Sequence, residues 1–127
     1  MTEVRIVTIL GILVISLLQP ALILAGEADV VGVKASAGKD VTWSFSVTVR
    51  HDDEGWDHYA DRWEVLGPDG EVLATRVLYH PHVEEQPFTR SLGGVKIPKG
   101  VKEVVIRAHD LVHGYGGEEA MVTLLDE

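Results

Sequence analysis

The chain has 127 residues, one domain of ordinary size, and its 46% hydrophobic and 24% charged residues exclude wholesale disorder and collagen-like structure. Acids outnumber bases 20 to 11, a formal charge of −9 that repels a phosphate backbone and argues against nucleic acid as a partner. With no cysteine, disulfides, thiolate metal sites, iron–sulfur clusters, cysteine nucleophiles and lipid attachment to cysteine are all excluded.

The first element is an apolar leader. Residues Ile6 to Ala25 are interrupted only by Thr8, Ser16, Gln19 and Pro20. Ile6 to Leu18 has the length of a signal-peptide core, and Pro20 ends the helix that such a core forms. Gly26 and Ala28 meet the small-residue preference for cleavage before Asp29, although Glu3 cancels Arg5 in the region ahead. The same 6–25 run is about long enough to cross a bilayer as an uncleaved anchor. Residues 1–28 are therefore read as a signal peptide or membrane anchor, and residues 29–127 as a periplasmic or secreted domain. Contact with a membrane is expected only through 6–25.

Beyond the leader the hydrophobic period is two. Val41, Trp43, Phe45, Val47 and Val49 alternate with Thr42, Ser44, Ser46, Thr48 and Arg50, as in a half-buried strand. Trp63 and Val65 alternate with Arg62 and Glu64, and Val104, Ile106 and Ala108 with Val105 and Arg107. Strands are expected at 30–37, 41–50, 61–66, 71–79, 88–97, 102–109 and 119–125. Gly93-Gly94 marks a bulge, because the inward phase of Phe88 and Leu92 shifts there to that of Val95 and Ile97. Seven strands at this spacing predict an all-β, antiparallel Greek-key sandwich. Strand count, spacing and Trp63 on the third strand resemble immunoglobulin-like and fibronectin-type-III-like domains over 30–125. Both immunoglobulin cysteines are absent, and the resemblance implies a fold and no activity.

Alternate connections of such a sandwich gather at opposite ends. Gly38-Lys39-Asp40, Gly67-Pro68-Asp69-Gly70 and Pro98-Lys99-Gly100 are minimal turns built for backbone geometry. The other three connections, 51–60, 80–87 and 109–117, are long and contain all six histidines, two apiece, each with a carboxylate. His51 and Asp110 continue the inward phases of their strands, and Pro81 favours an extended segment in which His80 and His82 share a face. Imidazole and carboxylate without sulfur suit a divalent transition metal, Zn, Cu or Ni. The expected ligands are His80, His82, His109 and His113, then His51 and Asp110, with Asp110 alternatively orienting an imidazole. His80-x-His82 resembles the paired ligands of secreted copper–zinc superoxide dismutases, whose bridging histidine and spacing are missing here.

Competing readings attach to the same loops. Taken singly, His51 caps a strand end, His58 is solvated and His109 bonds a neighbouring carbonyl. The acidic run Asp52, Asp53, Glu54, Asp57 and Asp61 has the oxygens for Ca²⁺ but no EF-hand pattern. Trp56, Tyr59 and Tyr115 suit a protein-interaction module, although Trp56 is expected to fold back over the core. An enzyme is disfavoured: Ser36, Ser44, Ser46 and Ser91 fall in strands, and no nucleophile elbow is present. Catalysis, if any, would run through a metal.

Overall fold

A computed structural model describes residues 26–125, and of the expected leader 1–28 the first 25 residues lie outside the described residues. The described chain is all-β, with strands β1 (Asp29–Ala37), β2 (Thr42–Arg50), β3 (Ala60–Leu66), β4 (Val72–Val77), β5 (Phe88–Lys96), β6 (Glu103–Asp110) and β7 (Ala120–Thr123). They form a three-stranded sheet, β1-β2-β5, and a four-stranded sheet, β4-β3-β6-β7, with every pairing antiparallel. Among the described residues there is no helix long and apolar enough to cross a membrane.

Side-chain alternation builds the core. Trp43, Phe45, Val47 and Val49 project from one face of β2, while Trp63 and Val65 of β3 and Val104, Ile106 and Ala108 of β6 project from the facing sheet. Phe88, Val95 and Ile97 complete the layer from β5 and the turn after it. The phase shift at Gly93-Gly94 is a bulge: β2 and β5 slip register between Trp43 and Phe45, opposite Val95 and Leu92. Gly94 there has φ +65°, a left-handed conformation that glycine adopts without steric cost.

The tight end is closed by backbone hydrogen bonds. Gly38 N–H donates to Thr42 O at 2.8 Å, Gly67 N–H to Glu71 O at 2.8 Å and Val101 N–H to Pro98 O at 3.1 Å. The first strand is tied across the sheets: Val30 N–H donates to Glu118 O at 2.9 Å, and Glu118 N–H returns to Asp29 Oδ1 at 2.7 Å. Chain direction then gathers the three long connections at the other end.

Trp63, on β3 of the four-stranded sheet, is fully buried in the core. Removing a buried indole forfeits its transfer energy and leaves a cavity that a two-sheet interior closes poorly. Trp63→Ala is expected to cost about 3–5 kcal/mol. In urea titration the midpoint falls while the slope holds; an unchanged midpoint would remove Trp63 from the core.

Candidate functional site

The histidine end is organised around two buried carboxylates, Asp110 and Asp53. Asp110 is the last residue of β6 and continues its inward phase, which places its carboxylate over the end of the apolar core. A carboxylate in that position must collect donors or pay heavily for lost hydration. Asp110 Oδ2 accepts from the backbone N–H of His113 at 3.0 Å and of Val112 at 3.2 Å, a turn that folds the β6–β7 loop back over it. His113 Nδ1 approaches the same oxygen at 3.0 Å, His58 Nε2 at 3.0 Å and His51 Nε2 at 3.7 Å. Three imidazoles from two loops thus converge on one oxygen. The other oxygen, Oδ1, is buried without a hydrogen-bond partner.

Asp53 is the second hub. Its Oδ1 accepts from Ala60 N–H at 3.0 Å and from His51 Nδ1 at 2.5 Å, while Oδ2 accepts from His82 N–H at 2.7 Å. One side chain therefore pins the β2–β3 loop, the start of β3 and the β4–β5 loop together. Gln86 reinforces the last of these, its Oε1 accepting from His51 N–H at 2.9 Å.

His51 has an acceptor at each ring nitrogen, Asp53 at Nδ1 and the Gly26 carbonyl at Nε2, 2.8 Å away. Two acceptors require two donated protons, so the ring in this arrangement is an imidazolium. Burial alone would lower its pKa, but the Asp53 hydrogen bond, the Asp53 and Asp110 charges and the Gly26 carbonyl outweigh it and raise the value. Burial would likewise raise both carboxyls. For Asp53 the His51, His82 and Ala60 donors overcome it, and for Asp110 the His113 and Val112 donors with the His51 charge do so; both are held below the usual range.

His58 stands between two carboxylates, with Nδ1 2.8 Å from Glu54 Oε1 and Nε2 on Asp110. Its ring meets His51 edge-on at 4.8 Å and lies 5.0 Å from His113. Ligand atoms of His51, His58 and Asp110 all fall within 4.8 Å of one another, a spacing that suits a metal ion once the His51 ring gives up a proton. His58, read from sequence as solvated, is thus a member of the cluster. Only its place opposite Glu54 in a pinched hairpin, Glu54 N–H to His58 O at 2.8 Å, brings it there.

The other expected ligands lie elsewhere. His80 and His82 do sit side by side, with ring centroids 4.6 Å apart. His82 is stacked on Phe88 at 3.9 Å and buried, and Arg90 Nη2 donates to its Nε2 at 2.9 Å, which fixes the remaining proton on Nδ1. Burial first, then the Arg90 and His80 charges, lower its pKa. His80 is exposed, its Nδ1 near Pro81 O. His109 projects from the outer face of the four-stranded sheet, with Nδ1 2.6 Å from Asp61 Oδ1. Of the six residues expected as ligands, the structure brings together His51, His113 and Asp110.

Two further expectations change. Trp56 does not fold over the core: it occupies the corner of the Gly55–His58 hairpin, packs edge-on against Tyr59 at 5.7 Å and is 66% exposed. The polar lid of His51, Asp53, His82 and Asp110 closes the core instead. The acidic run does not converge either: Asp53 turns inward, Glu54 serves His58, Asp61 serves His109 and Arg62, and Asp52 and Asp57 are exposed.

Glu64, an outward residue of β3, is buried beneath a cluster the alternation pattern does not reveal. Arg107 Nε donates to its Oε1 at 2.8 Å; Arg62 Nε and Tyr115 OH donate to Oε2 at 3.1 and 3.0 Å. Arg107 also stacks on the Tyr115 ring at 3.7 Å. Burial would raise the Glu64 pKa; the Arg107, Arg62 and Tyr115 donors outweigh it and lower the value.

No family model and no solved structure matches the chain. A protein of Halomicrobium mukohataei named "Putative lipoprotein" is 45% identical over 96 residues, which is 76% of this chain and 47% of that protein. The chain therefore spans about half the length of this relative.

Because the Glu64 pKa is lowered on folding, its stabilisation is complete above the ordinary value of 4.5 and is lost as pH falls through the lowered one. Glu64→Gln is expected to cost about 2 kcal/mol at pH 7, the scale of a buried charged hydrogen bond. The difference from the unmodified protein should shrink below pH 4.5 in denaturant titrations run across pH. A pH-independent difference would assign Glu64 a packing role alone.

Proposed function

We propose that this is an envelope-associated, extracytoplasmic protein that binds a divalent transition metal, zinc, copper or nickel, at the histidine end. His58, His113 and Asp110 supply the ligands, and His51 stands beside them. The observation that carries this reading is the convergence of three imidazoles on Asp110 Oδ2 while Oδ1 is buried without a partner. An imidazole and carboxylate set without sulfur is the donor chemistry of these ions. His58 and His113 keep 15% and 35% of their side chains exposed, so an ion can reach them from solution.

The name of the Halomicrobium relative supports an envelope location. The 127 residues hold no cysteine to carry a lipid, and the apolar run 6–25 is the segment that would attach them to a membrane. The placing of the first, second and fifth strands in one sheet supports a Greek-key, immunoglobulin-like sandwich. It departs from the constant-type arrangement in setting the fourth strand beside the third. A non-enzymatic recognition role for the same loops is the second reading, supported by the exposure of Trp56, Leu111 and Val112.

Elemental analysis of protein purified without an affinity tag is expected to find one zinc, copper or nickel per chain. His58→Ala/His113→Ala should abolish it, while His80→Ala/His82→Ala should retain it. Free metal at 100 times its Kd should stabilise the fold by about 2.7 kcal/mol, because the site exists only in the folded state. If none of the three ions binds or raises the melting temperature, the metal reading is wrong.

Asp110→Asn tests the hub itself. Neutralising it leaves the His51 cation buried beside one carboxylate instead of two, and replaces an acceptor by an amide facing other donors. A loss of about 3–5 kcal/mol is expected in metal-free buffer. A neutral outcome in chemical denaturation would show that the lid is held by Asp53 alone.

A further inference from the structure

Residues 26–28 are built into the folded body. The Gly26 carbonyl accepts from buried His51 Nε2 at 2.8 Å, and the His113 ring lies directly against Gly26. Ala28 is buried in the core. Gly117 passes so close that a Cβ on it would lie 2.0 Å from the Ala28 carbonyl oxygen. Cleavage before Asp29 would strip His51 of an acceptor and the core of a side chain. The folded body therefore begins by Gly26, directly after the apolar run Ile6–Ala25 and with no linker between.

Gly26 lies at the histidine end, among the most exposed apolar side chains of the long loops. From Gly26 the surface runs through His113 to Val112 and Leu111, 60% and 47% exposed. Leu111 N–H donates to Tyr59 O at 3.2 Å, and Tyr59 packs against Trp56. One residue spans at most about 3.6 Å, so a body joined without a linker stands within the headgroup layer, about 5–8 Å deep on each side of the hydrocarbon. Tryptophan favours that layer. Asp52, Glu54 and Asp57 are exposed at the same end and repel anionic headgroups, so apolar and aromatic side chains must carry the contact.

We infer that residues 6–25 hold the full chain in a bilayer with the histidine end against the membrane, and that Trp56, Leu111 and Val112 enter the lipid headgroup boundary. This orientation needs no metal and stands apart from the metal reading. Trp43 and Trp63 are buried, which makes Trp56 the reporter. The full chain is reconstituted in phosphatidylcholine vesicles with acyl chains brominated near the headgroup. Bromination should quench part of the tryptophan emission, and Trp56→Phe, a change at an exposed position, should abolish that quenching. Equal emission in brominated and plain vesicles, or quenching that persists in Trp56→Phe, overturns the inference. Mass analysis of the chain expressed in cells supplies a second readout. Membrane-bound chain retaining residues 6–25 supports the inference, and a soluble chain that has lost them overturns it.

Discussion

A buried carboxylate must find donors, and at the histidine end of this protein that requirement organises everything around it. The apolar core of a domain of this size is modest, and three long loops are costly to order. Asp110 and Asp53 order them by collecting N–H groups from several segments at once. Asp110 draws in the β6–β7 loop through Val112 and His113 and the β2–β3 loop through His58. Asp53 draws in Ala60 and His82. His51 lies between the two hubs and carries its charge to the Gly26 carbonyl, so the first described residue belongs to the same network. Each charge is tolerable only because the others are present.

Much of the fold was legible because strand phase is a local property. Alternation along Trp43–Val49 and Val104–Ala108 names the buried face, and the break in phase at Gly93-Gly94 names the bulge before any partner strand is known. The same phase carries one residue further to His51 and Asp110, which is why their burial could be read from the chain. The rest depended on contacts between distant segments. His58 enters the cluster through a hairpin whose geometry is set by Gly55 and Glu54, and no periodicity reports that. Glu64 has the phase of a solvated residue and is covered only because Arg107 lies on the neighbouring strand and Tyr115 in a loop 51 residues away. His80 and His82 share a face as expected, yet the arginine that occupies His82 comes from β5.

The imidazoles around Asp110 divide by burial into two kinds, and the division separates structure from chemistry. His51 has no exposed side-chain surface and both nitrogens are engaged, so releasing it would cost two hydrogen bonds inside a dry lid. His58 and His113 each keep some exposure and give one nitrogen to Asp110. On the proposed metal reading their bonds to that oxygen would be exchanged for bonds to a cation without dismantling the loops, because the backbone N–H groups of Val112 and His113 still hold Asp110 in place. The orphan Oδ1 adds capacity on the same side chain.

The network also couples the site to the start of the folded chain. Withdrawing the His51 proton from the Gly26 carbonyl would leave that oxygen beside a fully buried ring, and its replacement donor would have to be water admitted past His113. Release of residues 26–28 and entry of water beside His51 are therefore one event seen from two sides. A protein tethered through those residues would feel it as a change in how firmly its histidine end is seated. Burial of a charge is costly wherever it occurs. Here the charge of His51 sits between Asp110 and the Gly26 carbonyl, so its cost is shared by the histidine cluster and by residues 26–28.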